Sequence, residues 1–236
     1  MDLQDFLTND FIYNLAGGPL AKISFAVFLL GTVIRTVKFM SLTRTVKQDY
    51  PVHGSSIKKR FSVKSFLKEL PRHFNSLQHT VLAKSPVTIM VSLIFHVCLL
   101  VTPLFLLAHN IMISRFMGIS FFSFSEQTTN IMTVIFLVCA FYFLLRRVFS
   151  ARVRMITSIN DYLILAITTL PFLTGFLAYY QIYDYKFMIV LHMLSGELIL
   201  VAAPFTKVFH MIFFFVGRFV IVSQHTLGKG SREWQW

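Results

Sequence analysis

The sequence predicts an all-α membrane protein, in which one domain is built as a bundle of five transmembrane helices. Of its 236 residues, 56% are hydrophobic and 14% are charged, whereas a soluble domain carries about 25% charged residues. A soluble chain of this length could not bury so much apolar surface, but lipid removes that difficulty. The formal net charge of +12 comes from basic residues clustered between the apolar runs, so it indicates membrane orientation rather than nucleic-acid binding.

The N-terminal third predicts one span followed by a long basic segment. We place the first span at residues 16–40, because a Gly-Gly-Pro run at residues 17–19 suits its start. The acidic beginning of the chain lacks the positive region of a cleaved signal peptide, so we expect this helix to be retained. The segment at residues 41–85 carries nine Lys and Arg against two acidic residues, which predicts a cytoplasmic location. Within it, residues 63–82 are expected to be partly helical at the membrane surface.

Four more apolar runs supply the other spans, each with at least the roughly 20 residues that a bilayer crossing needs. We place them at residues 86–113, 128–149, 157–180 and 186–223. Pro86 suits the start of the second span, and Pro103 should bend it. Arginines follow the third span, whereas the loop before it carries little charge, so the N-terminus should lie outside and the C-terminus inside. The fifth helix is longer than a span needs, so its end should protrude on the inside.

Intramembrane histidines are the most informative feature of the sequence, because polar groups at this depth are costly and often functional. Four of the eight histidines lie in spans: His96 and His109 on the second, His192 and His210 on the fifth. Since these helices run in opposite directions, His109 and His192 fall towards the outer side of the membrane. By the same argument, His96 and His210 fall towards the inner side. A b haem takes one imidazole on each face of its iron, so two haems could stack across the membrane.

Helical spacing supports one half of this arrangement better than the other. His192 and His210 are 18 residues apart, which is five whole turns and about 27 Å of ideal helix, so they should share a face. His96 and His109 are 13 residues apart, which is a rotation of about 220°, and the bend at Pro103 should correct part of it. Structural hydrogen bonding, a zinc site and a proton site are the alternatives, although zinc would favour carboxylate or thiolate partners close by.

Several other residues are candidates for contacts near these histidines. Glu197 could relay protons for a quinone at the outer haem, or it could snorkel or bond to its own helix. Lys207 and Arg115 could each contact a haem propionate, and Arg115 also a quinone oxygen, with snorkelling and interfacial anchoring as the simpler interpretations. Gly175 and Gly196 could admit a flat macrocycle or allow close helix packing. No Walker loop, GxGxxG, HExxH or GxSxG occurs, so chemistry at the aqueous faces is assigned to other subunits.

Two stretches of the sequence resemble a known family. HVCLLVTPLFLLAHN at residues 96–110 and HMLSGELILVAAPFTKVFHM at residues 192–211 are similar to the haem-b membrane subunits of the nitrate reductase gamma-subunit superfamily. Within that superfamily, the chain looks most like subunits of the transmembrane redox complexes of sulfate-reducing bacteria (the Tmc and Dsr types). Heterodisulfide reductase membrane subunits are further relatives. The resemblance covers spans two to five.

The resemblance implies a set of cofactors, ligands and partners. Such subunits have five transmembrane helices, bind two b haems, exchange electrons with menaquinone and dock a cytoplasmic iron–sulfur subunit. In the sulfate-reducer complexes a multihaem cytochrome c lies on the outside. By position, His109 and His192 would hold the outer haem. His96 and His210 would hold the inner haem, with His79 as the substitute if His96 is not a ligand.

The sequence therefore favours an electron-transfer subunit in the cytoplasmic membrane of a bacterium or archaeon. It would be a di-haem cytochrome b that links menaquinone or a periplasmic cytochrome c to a cytoplasmic iron–sulfur subunit, since no iron–sulfur domain is fused to it. The alternative from another class is a transporter or a proton or metal channel that uses the four histidines. Inverted repeats or broken helices would favour that alternative, and the sequence indicates neither. A haemless assembly anchor is a third hypothesis.

Overall fold

The computed structural model of the protein describes residues 10–45 and 85–213. In those residues every regular element is helical, and five helices are long and apolar enough to cross a membrane, which confirms the all-α, five-span prediction. Most of the basic segment at residues 41–85 lies outside the described residues, and so do the expected surface helix at 63–82 and His79. The end of the predicted fifth span lies outside them too, and the orientation of the termini stays a prediction.

The described chain forms two compact units. The first contains residues 10–21 and 85–199, and the second contains residues 22–45 and 200–213. In chain order the elements are α1 (Asp10–Leu15), a π-helical turn (Ala16–Leu20), α2 (Ala21–Thr45), α3 (Pro86–Phe105), α4 (Leu107–Met117), α5 (Glu126–Phe149), α6 (Ala151–Arg154), α7 (Ile159–Tyr179), α8 (Tyr185–Ala202) and two 3₁₀ turns (Ala203–Phe205 and Lys207–Phe209).

Side-chain caps determine where two of the spans begin. The Ser125 hydroxyl accepts a hydrogen bond from the backbone N–H of Thr128 at 3.2 Å, at the start of α5. Before α7, Ser158 and Asp161 form a reciprocal capping box, in which the Asp161 carboxylate accepts from the Ser158 N–H at 2.8 Å. Such caps satisfy N–H groups that the first turn of a helix leaves unpaired. Because these signals are local in sequence, the third and fourth spans begin close to where the sequence predicts.

The first span begins earlier than predicted. We expected the Gly-Gly-Pro run to mark the start near residue 16, but the candidate span covers Asp10–Ser41 and the run lies inside the π-helical turn. Pro19 has no N–H for the helical ladder, and a locally wider turn lets the helix continue past it. In the first unit, Lys186 Nζ lies 2.6 Å from the Asp10 carboxylate and ties α1 to the start of α8. An exposed ion pair of this kind adds little stability.

The second span is broken rather than bent. Leu106 has an extended backbone (φ −70°, ψ 128°) that separates α3 from α4. The expected single helix over residues 86–113, bent at Pro103, is therefore wrong. Pro103 cannot donate to the carbonyl one turn earlier, and the helix ends shortly after it. Because the helix is interrupted, the ideal rotation of about 220° no longer relates His96 to His109.

The fifth span is interrupted as well. After α8 the chain forms the two 3₁₀ turns, with the extended Thr206 between them (φ −116°, ψ −176°). The expected continuous helix over residues 186–223 is therefore wrong, and so is the five-turn argument that placed His192 and His210 on one face. Pro204 lies in the first 3₁₀ turn, where its ring and missing N–H oppose a regular helix. The expectation of unbroken helices is thus wrong for both histidine-bearing spans.

Three phenylalanines from three helices form the packed centre of the first unit. The ring of Phe136 on α5 is fully buried. It stacks on Phe95 of α3, with ring centroids 4.6 Å apart, and on Phe172 of α7, at 3.8 Å. Aromatic pairs contribute about 0.5–1.5 kcal/mol beyond their burial, and van der Waals packing is a main force between membrane helices. This stack therefore holds α3, α5 and α7 together.

The second unit packs α2 against the interrupted end of the fifth span. Arg35 donates a hydrogen bond to the carbonyl oxygen of Pro204. Its guanidinium carbon lies 5.0 Å from the ring centroid of Phe209 and 5.9 Å from that of Phe213. A carbonyl released at a helix end needs a donor, and aromatic faces stabilise a cation in apolar surroundings. Arg35 thus compensates for the interruption of the helix.

Gly31 allows α2 to approach the 3₁₀ turn closely. A Cβ at Gly31 would lie 2.9 Å from both Cβ and Cγ of Pro204, and a proline ring cannot rotate away. We therefore expect Gly31→Ala to lower the free energy of unfolding by about 1–3 kcal/mol through overpacking, seen as a lower Tm in detergent. Gly18→Ala is the control, because nothing lies within 4 Å of its added methyl group. Equal Tm values for the two variants would contradict this packing.

Candidate functional site

Two of the four intramembrane histidines meet in the structure. The rings of His109, on α4, and His192, on α8, have centroids 5.8 Å apart and planes inclined by 19°. Both residues belong to the first unit and are half-buried. They are the pair that the sequence placed towards the outer side of the membrane. The structure therefore brings together one of the two predicted pairs.

The break between α3 and α4 positions His109. Its Nδ1 lies 2.9 Å from the carbonyl oxygen of Pro103, in the last turn of α3, where carbonyls have no partner within the helix. A carbonyl can only accept, so Nδ1 carries the proton and donates it, and Nε2 keeps its lone pair. The interruption of the helix, which the sequence did not reveal, is what orients this imidazole.

A proline carbonyl also anchors His192. Its Nδ1 donates to the carbonyl oxygen of Pro171 on α7 at 2.8 Å, so Nε2 is again the nitrogen with the lone pair. The ring lies against Gly175, where a Cβ would stand 3.0 Å from both Cε1 and Nδ1 of His192. From the sequence, Gly175 is predicted either to admit a flat macrocycle or to allow close helix packing. In the structure its missing side chain makes room for the imidazole.

The two imidazoles have the chemistry and spacing of axial ligands. Metal-ligating histidines usually donate their second ring nitrogen to a carbonyl or carboxylate, which fixes the ring and raises the basicity of the ligating nitrogen. With metal–nitrogen bonds of about 2.0 Å and about 1.2 Å from nitrogen to ring centroid, two imidazoles across one metal have centroids about 6.4 Å apart. The observed 5.8 Å is close to this value. Haem iron takes side chains in its axial positions, so the distance between the ring centroids permits His109 and His192 to act as a pair of axial ligands.

The second predicted pair shows the same local anchoring. Nδ1 of His96 lies 2.6 Å from the carbonyl oxygen of Ser92, and Nδ1 of His210 lies 2.6 Å from that of Lys207. His96 belongs to the first unit and His210 to the second, so their pairing stays a prediction. Within residues 10–45 and 85–213, no group of three or more His, Cys, Asp and Glu side chains could hold a metal ion.

Glu197 is a buried carboxyl on α8, five residues after His192. Only 7% of it is exposed, and neither carboxyl oxygen has a hydrogen-bond partner among the described residues. It therefore neither snorkels to the surface nor bonds to its own helix here. A buried polar group without a partner lowers stability, and an ionisable group at membrane depth is a candidate for function.

The remaining candidates lie at helix ends or in open space. Arg115 is exposed in the last turn of α4, where a cation complements the helix dipole. Lys207 is exposed in the second 3₁₀ turn. Their contacts with a propionate or a quinone stay predictions. A Cβ at Gly196 would meet no atom within 4 Å, so close helix packing does not explain that glycine in the described part of the chain.

Comparison with known proteins gives one relative and no family. No protein-family model matches the sequence, and no solved structure matches it. A curated protein of the sulfate-reducing bacterium Nitratidesulfovibrio vulgaris (strain Hildenborough) is 33% identical over 138 residues. The match covers 58% of this chain and 61% of that protein, so this chain spans about three fifths of the relative's length. The relative is described only as "Protein" and therefore assigns no activity.

Proposed function

We propose that the protein is a di-haem cytochrome b subunit of a respiratory redox complex in the cytoplasmic membrane of a bacterium or archaeon. The observation that carries this proposal is the meeting of His109 and His192, with both Nδ1 atoms anchored to carbonyls and both Nε2 lone pairs available. Electrons would pass between menaquinone or a periplasmic multihaem cytochrome c and a cytoplasmic iron–sulfur subunit.

The residues of this chain would hold and insulate the cofactors. A b haem, when bound, supplies one-electron redox chemistry. His109 and His192 would hold one haem, and their hydrogen bonds to proline carbonyls keep each ring in orientation. His96 and His210 would hold the second. The apolar helices exclude water, which is one way that a protein sets the potential of a metal centre.

The sequence resemblance supports the same proposal. The stretches at residues 96–110 and 192–211 resemble membrane subunits of redox complexes in sulfate-reducing bacteria, and the curated relative comes from such an organism. That relative's description adds no activity, so the support is the shared sequence and its source. The resemblance alone supports three parts of the proposal, which are the iron–sulfur subunit, the cytochrome c and menaquinone.

A transporter or a proton or metal channel is the second candidate, because two spans are interrupted. Transporters use broken helices to expose backbone groups to ions and substrates. Here the Pro103 carbonyl accepts from His109 and the Pro204 carbonyl accepts from Arg35. Both interruptions thus have donors from the protein itself, and we rank this function second.

Glu197 gives a prediction about proton exchange with quinone. Glu197→Gln keeps the size of the side chain and removes the acid, so we expect Tm to stay equal or rise. Reduction of haem by a menaquinol analogue should slow by at least about tenfold, since a positioned proton-transfer group typically contributes more than that. Glu126→Gln, at an exposed glutamate in the first turn of α5, is the control. An unchanged rate in Glu197→Gln would exclude Glu197 from the proton path.

The proposed function is tested by recording haem absorbance while a reduced menaquinone analogue is added to the complex purified from its native membranes. We expect a b-type absorbance that increases as the haem is reduced. Uptake of protons or metal ions by liposomes containing the chain, with no b-type absorbance at all, would contradict the proposal and support a transporter.

A further inference from the structure

We propose that a groove between α5 and α7 binds an anionic phospholipid, with one acyl chain along the groove and the phosphate against Arg147. Both helices belong to the first unit. The lining of the groove, the unpartnered group just beyond it and the surrounding charge each support this occupant. The proposal is independent of haem binding.

The groove is an apolar cavity of about 470 Å³. Its walls are mainly aliphatic, with Leu137, Ala140 and Leu144 from α5 and Leu165, Ala166 and Leu173 from α7. The two hydroxyl groups in the lining are already bonded. Tyr162 donates to the carbonyl oxygen of Arg147 at 3.3 Å, and Thr169 donates to that of Leu165 at 2.7 Å. The lining therefore suits a hydrocarbon chain.

Arg147 lies just beyond the lining of the groove, where the Tyr162 hydroxyl donates to its carbonyl oxygen. It follows Leu144 by three residues on α5, which places it on the same helix face, one turn further along. Its Nη1 is buried and has no hydrogen-bond partner among the described residues. A buried donor without a partner is costly, and a phosphate oxygen is the acceptor that best matches a guanidinium. Because protein atoms cover Nη1, a phosphate reaches it only if the Arg147 side chain changes rotamer, and the unpaired donor favours that change.

The charge around Arg147 favours an anion. The stretch at residues 144–165 contains four arginines and one acidic residue. That residue, Asp161, accepts hydrogen bonds from the N–H and the hydroxyl of Ser158, each at 2.8 Å, so its carboxylate is engaged in the cap of α7. Basic pockets between transmembrane helices are typical sites for anionic lipid headgroups.

Other amphiphiles match the groove less well. Phe141, in the lining, is 59% exposed, and Leu173 is 40% exposed, so an acyl chain can enter from the side. Menaquinone has a hydrocarbon tail, but its headgroup brings no charge to Arg147. Phosphatidylcholine has a phosphate, but its own ammonium group offsets that charge. Phosphatidylglycerol supplies both the chain and an uncompensated phosphate.

The test measures lipid binding to the full chain after delipidation in a neutral detergent. Dioleoyl phosphatidylglycerol and dioleoyl phosphatidylcholine are titrated separately, and bound lipid is counted by native mass spectrometry. We expect phosphatidylglycerol to bind roughly five- to tenfold more tightly, and Arg147→Gln to abolish that preference. Arg154→Gln removes the same charge at an exposed position outside the groove lining. This variant should keep most of the preference for phosphatidylglycerol.

A second pair of variants tests the groove itself. Ala166→Phe fills the groove, whereas Leu163→Phe adds the same ring at an exposed position of α7 that is not in the lining. Only Ala166→Phe should release phosphatidylglycerol. Equal binding of the two lipids, equal losses in Arg147→Gln and Arg154→Gln, or displacement of phosphatidylglycerol by menaquinone-4 would each overturn the proposal.

Discussion

Replacing His192 with Ala is expected to remove one b haem and to leave the other in place. The His192 ring lies 5.8 Å from that of His109 and would supply one of the two axial nitrogens of the proposed haem. The pyridine haemochrome assay on the purified protein should therefore show a haem content reduced by half. His109→Ala should remove the same haem. The double variant should lose no more than either single variant, because both act on one site.

Ser195→Ala is the matched control for His192→Ala. Ser195 is buried on the same helix. Its hydroxyl donates to the carbonyl oxygen of His192 at 2.9 Å and lies 3.3 Å from the hydroxyl of Thr174. Its removal changes a polar contact at the same depth without removing an imidazole, so both haems should be retained. Retention of both haems by His192→Ala would show that the ligand assignment is wrong. Recovery of haem in His192→Gly on adding free imidazole would distinguish loss of a ligand from misfolding.

Gly175→Leu should have the next largest effect, through the position of the same ring. A Cβ at Gly175 already stands 3.0 Å from two atoms of the His192 imidazole, and the rest of a leucine side chain extends further into that space. Displacing the ring breaks its hydrogen bond to the Pro171 carbonyl, 2.8 Å long. We expect the proposed haem at His192 to be lost. We also expect the free energy of unfolding to fall by about 1–3 kcal/mol through overpacking, seen as a lower Tm.

Gly18→Leu provides the control for Gly175→Leu. It adds the same side chain to the π-helical turn of the first unit, where a Cβ meets nothing within 4 Å. Haem content and Tm should stay near the values of the unsubstituted protein. If Gly175→Leu left both quantities unchanged, the contact between Gly175 and the imidazole would not be what positions His192.

The five spans could be predicted from sequence because a bilayer imposes a length. About 20 apolar residues are needed for each crossing, and the chain has five such runs. Local caps at Ser125 and Ser158 then determine where α5 and α7 begin. The pairing of His109 with His192 could be predicted for the same reason. The two helices run in opposite directions, so these two histidines fall at similar depths in the membrane.

The two interruptions could not be predicted, because they depend on tertiary contacts. Pro103 indicates a bend, but the extended Leu106 persists because the released Pro103 carbonyl finds a donor in His109. In the fifth span, the carbonyl of Pro204 finds its donor in Arg35, on a helix far away in sequence. Helix propensity can indicate where a helix is weak. Whether the helix is interrupted there depends on a tertiary donor for the released carbonyl.

The anchors of the site were missed for a related reason. The Nδ1 partner of His192 is the backbone carbonyl of Pro171. Every residue has a backbone carbonyl, so no side-chain pattern identifies this partner. One signal was present: Gly175 follows Pro171 by four residues, which places both on one face of α7. On that face, the missing side chain of Gly175 leaves room for the His192 ring.

The most direct test of a haem held between His109 and His192 is electron paramagnetic resonance of the oxidised protein, combined with its haem content. Imidazole planes inclined by 19° predict a rhombic low-spin ferric signal, because near-parallel axial rings remove the degeneracy of the iron orbitals. That signal should disappear in His192→Ala and persist in Ser195→Ala. A properly assembled protein without b haem, or with no low-spin signal that depends on His192, would contradict the account.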